Sequence, residues 1–372
     1  MSGRVPRLVC TAAVAAQAAL APVCAVAAPG RPEPGPVSVA AQLTRLQKLY
    51  RQAEQATETY DAAAEQLKQQ RAEVERLDAA LARARLALHD SRAAAGQLAR
   101  QQYQGGSGLS PYVRLLLARD PQHALDEGHM LGQLARERAE TVRRLTGSEK
   151  KADDLARKAR KALDTRLALV RRQQRARDDV RGRLHDVERL LSSLSAAQLA
   201  ALTEFEKIGN AEAQRRFLAS GALGDGTARP TEEGDRAVRY AVDQLGKPYQ
   251  WGAAGPKAYD CSGLTSRAWG QAGTPIPRTS QQQWALLKHV PLKELRPGDL
   301  VVYFPQATHV ALYLGDGMVV QAPRPGAKVK VSPVAANPVL GAVRPDPGGK
   351  PLRRYAPPRL PENALGTRNA DR

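Results

Sequence analysis

The chain has 372 residues, which is enough for two or three domains. Only 4% of its residues are aromatic, and all three tryptophans fall between Trp251 and Trp284, so a single aromatic-built core across the chain is excluded. We therefore expect one compact domain near the C-terminus, preceded by a long helical region. The formal charge of +19 indicates a polyanionic neighbourhood. Because the basic residues are dispersed and no nucleic-acid motif is visible, nucleic acid is not a predicted partner.

Residues 1–28 have the pattern of a secretory signal peptide. Arg4 and Arg7 precede an Ala-rich apolar run at 8–21, and the small residues at 25–27 fit a cleavage site. The alternative is a transmembrane anchor, but the run is only weakly hydrophobic. We therefore expect the chain to be exported.

A Pro-rich linker at 29–38 leads into a predicted coiled coil at 39–215. Apolar residues recur there at alternate spacings of three and four, with Ala and some polar residues diluting the seam. A Gly- and Pro-containing break at 103–121 divides it, which favours an antiparallel hairpin of two long helices; a parallel homodimeric coiled coil is the alternative. The apolar segment at 112–117 would form the tip, where it docks on the body of the protein or binds a partner.

Three further segments are predicted after the coiled coil. Residues 216–233 form a linker, residues 234–346 an α+β domain, and residues 347–372 a disordered basic tail. In the domain, three helical patterns precede a series of short β patterns, which indicates helices followed by an antiparallel sheet.

Cys261 is the candidate nucleophile. The other two cysteines, Cys10 and Cys24, lie in the predicted signal peptide, so Cys261 has no partner for an internal disulfide. Asp260 is a good N-cap residue, which would place Cys261 at the start of a helix. The helix dipole lowers a thiol pKa there, and free N–H groups can stabilise an oxyanion. The position thus favours a nucleophile over a buried small hydrophobe.

A thiol nucleophile needs a base and a group that orients the base. Four of the six histidines lie in the helical region, and His289 follows an amphipathic helix and is expected on the surface. His309 begins a predicted strand, and a turn at 315–317 brings position 321 within about two residues of lying opposite it. The amide carbonyl of Gln321 can accept the imidazole N–H. Cys261, His309 and Gln321 are therefore predicted to be nucleophile, base and orienting group.

With these residues in view, the domain resembles the NlpC-type cell-wall cysteine endopeptidases. Six strings carry the resemblance, in order: LGKPYQWG at 245–252, YDCSGL at 259–264, PRTSQQ at 277–282, LRPGDL at 295–300, HVALYLG at 309–315 and QAPRPG at 321–326. Together they span most of the domain, which makes the match highly specific.

The resemblance implies a papain-like fold and hydrolysis of peptidoglycan stem peptides, typically at the bond from D-γ-glutamate to the diamino acid. Cys261 would form a thioester, with His309 moving the proton. In the family, the tyrosine matching Tyr249 helps to stabilise the oxyanion. The substrate groove would be lined by Asp260, Ser262 and Ser280. No cofactor and no metal are implied. The third catalytic position is more often His, so Gln321 is a departure: it can fix the tautomer but carries no adjustable charge.

The helical region is similar to that of division-associated wall hydrolases. This similarity implies a coiled coil that occludes the catalytic groove and is released by a membrane division complex. The further expected partners are peptidoglycan stem peptides and anionic cell-wall polymers, and the expected location is secreted and cell-wall associated. Two alternative functions stay open: a catalytically silent wall-associated coiled-coil scaffold, and an amidase or transpeptidase acting on another wall bond.

Overall fold

The computed structural model describes residues 38–104, 113 and 121–361. Helix α1 (Val39–Gln104) contains 66 residues and helix α2 (Pro121–Ser192) contains 72. The predicted signal peptide, nearly all of the Pro-rich linker and most of the predicted tip lie outside the described residues. No helix of the described residues is both long enough and apolar enough to cross a membrane.

Helices α1 and α2 form an antiparallel hairpin within one chain. Near the start of α1, Leu46 and Tyr50 pack against Val187 of α2. Further along, the hydroxyls of Ser91 and Ser148 lie 3.0 Å apart. The partners in α2 therefore come earlier in the sequence as α1 proceeds, and the predicted hairpin is confirmed.

Helix α3 (Ala196–Ala219) joins the hairpin to the C-terminal domain. It begins with a capping box, in which the Ser195 hydroxyl and the Gln198 side chain each accept the other residue's backbone N–H. Near its end, the Gln214 amide donates to the Gly317 carbonyl at 3.0 Å. The helix thus rests on the turn that follows the strand beginning at His309.

The C-terminal domain has helices first and an antiparallel sheet afterwards, as predicted. Its helices are α4 (Glu232–Val242), α5 (Cys261–Ala272) and α6 (Ser280–Leu286). The strands are β1 (Lys288–Val290), β2 (Leu300–Tyr303), β3 (His309–Gly315), β4 (Met318–Gln321), β5 (Lys330–Pro333) and β6 (Val339–Arg344). Their order in the sheet is β1-β6-β2-β3-β4-β5, and every neighbouring pair is antiparallel.

The domain core lies between the sheet and the helices α4 and α5. Trp269 is completely buried there, and its indole N–H donates to the Gly298 carbonyl at 3.0 Å. Leu264 of α5 and Leu312 of β3 belong to the same cluster. This packing fixes the start of α5 against the sheet.

The predicted disordered tail differs from the structure at residues 347–361. This segment has irregular backbone but lies against the domain: the Leu352 N–H donates to the Pro230 carbonyl at 2.8 Å, and Arg239 donates to the Ala356 carbonyl at 3.1 Å. Leu360 packs against the core. The segment holds its place through backbone hydrogen bonds, which a search for apolar periodicity does not detect.

Candidate active site

Cys261 is the first residue of α5. Asp260 caps the helix, because its Oδ1 accepts the Gly263 N–H at 2.6 Å, as the sequence predicts. The thiol is buried, and the backbone N–H of Val310 at the start of β3 is close enough to favour its ionised form. The nucleophile candidate therefore lies at the start of the strand that carries the candidate base.

His309 and Gln321 form a buried pair. The imidazole Nε2 lies 2.6 Å from the amide Oε1 of Gln321. The sheet register pairs Leu312 with Val320, so Gln321 comes beside Ala311 and shares a face with His309. Because a carbonyl oxygen only accepts, Nε2 carries the hydrogen and Nδ1 keeps a free lone pair. Nδ1 has no hydrogen-bond partner among the described residues, as suits a base; the catalytic roles stay predictions.

The predicted groove residues lie around Cys261, His309 and Gln321, which are called the catalytic row below. The Asp260 carboxylate accepts from both terminal nitrogens of Arg278, at 2.6 and 3.1 Å. Arg278 also donates to the Ser262 hydroxyl at 3.0 Å. Ser280 begins α6, and its hydroxyl donates to the carbonyl of Ala307. The structure thus brings the predicted site residues together in one groove.

Helix α1 fills that groove with three carboxyls. Glu58 accepts the Ser262 hydroxyl at 2.9 Å and the Ser280 backbone N–H at 2.8 Å, and its Oε1 is 3.8 Å from the Cys261 sulfur. One turn earlier and one turn later, two more carboxyls face the site. They are Glu54, with Oε1 at 3.8 Å from His309 Nδ1, and Asp61, with Oδ2 at 3.4 Å from Arg278 Nη2.

Other α1 side chains, next to the three carboxyls, also contact the groove. The hydroxyls of Thr57 and Tyr249 form a hydrogen bond, and the rings of Tyr60 and Trp251 meet edge to face with centroids 4.9 Å apart. Cys261 is 3% exposed with the helix in place. A peptide substrate and α1 therefore cannot occupy the groove together.

Burial shifts the pKa of each of the three α1 carboxyls in the groove upward. The pKa of Glu58 rises to about 7, first through burial and then through the nearby charge of Asp260. The pKa of Glu54 rises to about 8 and that of Asp61 to about 9, again mainly through burial. The closed groove therefore favours the neutral form of all three.

Burial also shifts the pKa values of His309 and Cys261. It lowers the pKa of His309 to about 4, against the opposing effect of the Gln321 hydrogen bond. The pKa of the Cys261 thiol rises well above its usual value, through burial and then the charges of Glu58, Asp260 and Glu54. The expectation of a lowered thiol pKa is therefore wrong for this closed arrangement. The helix start is present, but desolvation and nearby carboxyls outweigh it.

The described residues contain no group of three or more His, Cys, Asp or Glu that could hold a metal ion.

Sequence reasoning missed the three α1 carboxyls that lie in the groove. It also missed the two arginines that face α1, which are Arg278 and Arg324. The predicted heptad seam of α1 contains Thr57 and Tyr60. The prediction regards its polar residues only as a dilution of the apolar pattern. One signal was available: acids at Glu54, Glu58 and Asp61 share a helical face with that seam. Acidic residues on a helix face that the heptad pattern predicts to be buried indicate that this face packs against a polar surface.

Comparison with known proteins bears on the domain alone. The family model described as NlpC/P60 family matches residues 246–341. This segment is an NlpC/P60 domain. Among similar proteins, a probable endopeptidase of Corynebacterium glutamicum is 49% identical over 89 residues, which cover 24% of this chain and 43% of that protein. Peptidoglycan endopeptidase RipA of Mycobacterium tuberculosis is 37% identical over 111 residues, covering 26% of this chain and 24% of RipA.

A solved structure, the NlpC/p60 domain of peptidoglycan hydrolase SagA, is 32% identical and covers 30% of this chain and 97% of that chain, with a TM-score of 0.29. The two curated relatives are matched over less than half of their own length.

Proposed function

We propose that the protein is a secreted, cell-wall-associated peptidoglycan endopeptidase that cleaves stem peptides between D-γ-glutamate and the diamino acid. The observation that carries the proposal is the placement of Cys261 at a helix start beside a hydrogen-bonded His309–Gln321 pair. The names of the similar proteins, probable endopeptidase and peptidoglycan endopeptidase, agree with it.

The proposed reaction proceeds through a thioester. Nδ1 of His309 takes the thiol proton as the Cys261 sulfur attacks the scissile carbonyl carbon. The C–N bond then breaks, and the imidazolium gives its proton to the leaving amine. Water, deprotonated by His309, attacks the thioester and releases the thiol. Burial, and then the nearby charge of Cys261, raises the pKa of the Tyr249 hydroxyl, which would donate to the oxyanion.

The helical region would act as an intramolecular inhibitor. Three observations support this role: the carboxyls of α1 in the groove, the burial of Cys261, and the raised pKa of its thiol. Activation would then require α1 to leave the groove, for which a membrane division complex is the proposed agent.

Export and wall retention are also proposals. The signal-like pattern at 1–28 supports export, and the net charge of +19 suits retention on anionic wall polymers. Retention by charge predicts that high salt elutes the mature chain from purified wall, because salt screens exposed charges.

The decisive experiment is mass spectrometry of a defined muropeptide tetrapeptide incubated with residues 29–372. Four chains are compared: the parent, Glu58→Lys, Cys261→Ala and the double variant. We expect cleavage after the γ-glutamyl residue by Glu58→Lys, little by the parent and none where Cys261 is replaced.

Other outcomes would redirect the proposal. Cleavage at a different bond would favour an amidase or transpeptidase. Absence of cleavage by a folded Glu58→Lys chain would favour a scaffold. Equal cleavage by the parent and Glu58→Lys would keep the enzyme but remove the inhibitory role of α1.

A further inference from the structure

The contacts of α1 mark out the length of the groove. They follow one another along the helix from Arg324 through His309 and Ser262 to Arg278. From Tyr50, at the Arg324 end, to Asp61, at the Arg278 end, the helix rises by about 16 Å. An extended peptide of about five residues covers that distance. The groove is therefore long enough for a stem peptide and has an arginine at each end.

Arg324 lies beside the Gln321 end of the catalytic row. It follows Gln321 by three positions, and Lys330 on β5 is the strand partner of Gln321. The Arg324 guanidinium binds both carboxylate oxygens of Glu206 in α3, at 2.7 and 2.8 Å. It also lies over the ring of Tyr50, 4.7 Å from the centroid. Two cations thus flank the reacting groups on this side.

The carboxyls that act on Arg324 come from the helical region. Glu206 belongs to α3, and Glu54, which also interacts with the Arg324 charge, belongs to α1. Among the described residues of the NlpC/P60 domain, no carboxyl forms an ion pair with Arg324. Withdrawal of the helices would leave the guanidinium without a carboxylate partner among the described residues of the domain and free to bind another anion.

We propose that Arg324, supported by Lys330, binds a carboxylate of the substrate, and that Glu206 occupies this subsite in the closed form. The planar guanidinium already holds a carboxylate through two parallel hydrogen bonds, the geometry a substrate carboxylate would reuse.

The proposal rests on the proposed endopeptidase function and on the Asp260 carboxylate receiving the free amine of the stem peptide at the opposite end of the groove. The Arg324 end then receives the residues on the leaving side of the scissile bond. The ligand is therefore a carboxylate of the diamino acid or of the alanine that follows it.

The test measures peptide binding by calorimetry, using residues 29–372 with Cys261→Ala, Glu58→Lys and Glu206→Gln, so that the groove is inert and neither α1 nor the Glu206 carboxylate occupies it. The probes are three stem tetrapeptides: one with free carboxylates, one amidated on the diamino acid and one amidated at the C-terminus. Arg324→Gln and Arg324→Lys are compared with Arg354→Gln, which removes the same charge from an exposed position on the tail.

We expect Arg324→Gln to weaken binding of the free peptide by about tenfold or more, and Arg324→Lys by less. Arg354→Gln should bind like the parent. One of the two amidated peptides should bind the chain with Arg324 intact about as weakly as the free peptide binds Arg324→Gln. The same peptide should lose no further affinity on Arg324→Gln. The group amidated in that peptide is then the carboxylate that Arg324 binds. Because the amidated peptides test the parent chain, the subsite stays testable even if Arg324→Gln fails to fold.

The subsite is rejected if neither amidation weakens binding to the parent, or if none of the peptides binds. It is also rejected if a folded Arg324→Gln chain binds the free peptide as tightly as the parent does. Hydrolysis is measured separately with Cys261 intact. Carboxylate-dependent binding without cleavage would keep the subsite and reject the endopeptidase reaction. Cleavage of the peptide, together with an affinity that does not depend on Arg324, would keep the endopeptidase reaction and reject the subsite.

Discussion

Helix α1 forms two interfaces that differ in chemistry. Against α2 it buries apolar side chains, such as Val74 and Leu77 beside Ala162. Against the NlpC/P60 domain it buries carboxyls, including Glu54 and Glu58. Buried apolar area stabilises by about 25 cal/mol per Å², whereas a buried carboxyl costs free energy unless its partners are complete.

In the interface between α1 and the NlpC/P60 domain, the buried carboxyls lack some of their hydrogen-bond partners. Oε2 of Glu54 and Oδ2 of Asp61 are buried without a hydrogen-bond partner. The Asp61 atom is within ion-pair distance of Arg278, at 3.4 Å, but has no direct hydrogen bond. The proposed opening of the groove would therefore separate incompletely partnered carboxyls and leave the apolar packing of the hairpin intact.

The largest effect should come from reversing the charge of Glu58. Glu58→Lys removes the acceptor for Ser262 and for the Ser280 N–H, and it places a cation near Arg278. Breaking such a buried polar contact costs about 3 kcal/mol or more, so we expect the hydrolysis rate of residues 29–372 to rise on the order of 100-fold. Initial rates on a muropeptide check this. Glu75→Lys makes the same charge change on an exposed face of α1 and should leave the rate unchanged; equal activation by both would contradict the comparison.

A core substitution in the hairpin should affect stability and spare the groove. Leu77→Ala deletes a buried side chain between α1 and α2 and should lower the free energy of unfolding of the helical region by about 2–3 kcal/mol. Urea titration followed by circular dichroism measures it, with Leu86→Ala, at a 67% exposed position, as the control. The rate of the Glu58→Lys chain should not change when Leu77→Ala is added. A change would mean that the two interfaces are coupled.

The smallest effect should be the pH dependence of opening. Glu58 has a pKa of about 7 in the closed groove against an ordinary value of 4.5, so the closed form binds the proton more tightly than the open form. The contribution of this proton to closure is complete below about pH 4.5 and is lost as pH rises through about 7. We expect the parent rate, divided by the rate of Glu58→Lys at the same pH, to rise about tenfold between pH 6 and pH 8.

Glu58→Gln supplies the matched control for this pH effect. It cannot ionise at this position, so its normalised rate should rise less over the same range. The remaining rise would come from Glu54 and Asp61, whose pKa values are also raised in the closed groove. A Glu58→Gln profile identical to that of the parent would exclude Glu58 as a source of the pH dependence.

The placement of Cys261, His309 and Gln321 could be predicted from sequence because each position depends on local rules. A cap residue places Cys261 at a helix start, and a short turn sets His309 and Gln321 on neighbouring strands. The contact between Glu58 and Cys261 could not be predicted in this way, since 203 positions separate them and no local pattern relates them. The lowered thiol pKa was wrongly expected for the same reason: the cover that desolvates the thiol comes from a distant helix.

The length of α1 makes it a lever arm on the groove. From Glu58 to Gln104, at its far end, the helix extends about 70 Å. A tilt of about three degrees about that end displaces the Glu58 carboxyl by about 4 Å, which is more than the length of the hydrogen bonds that hold it. A partner that tilts the helical region would therefore uncover the groove without touching Cys261, His309 or Gln321.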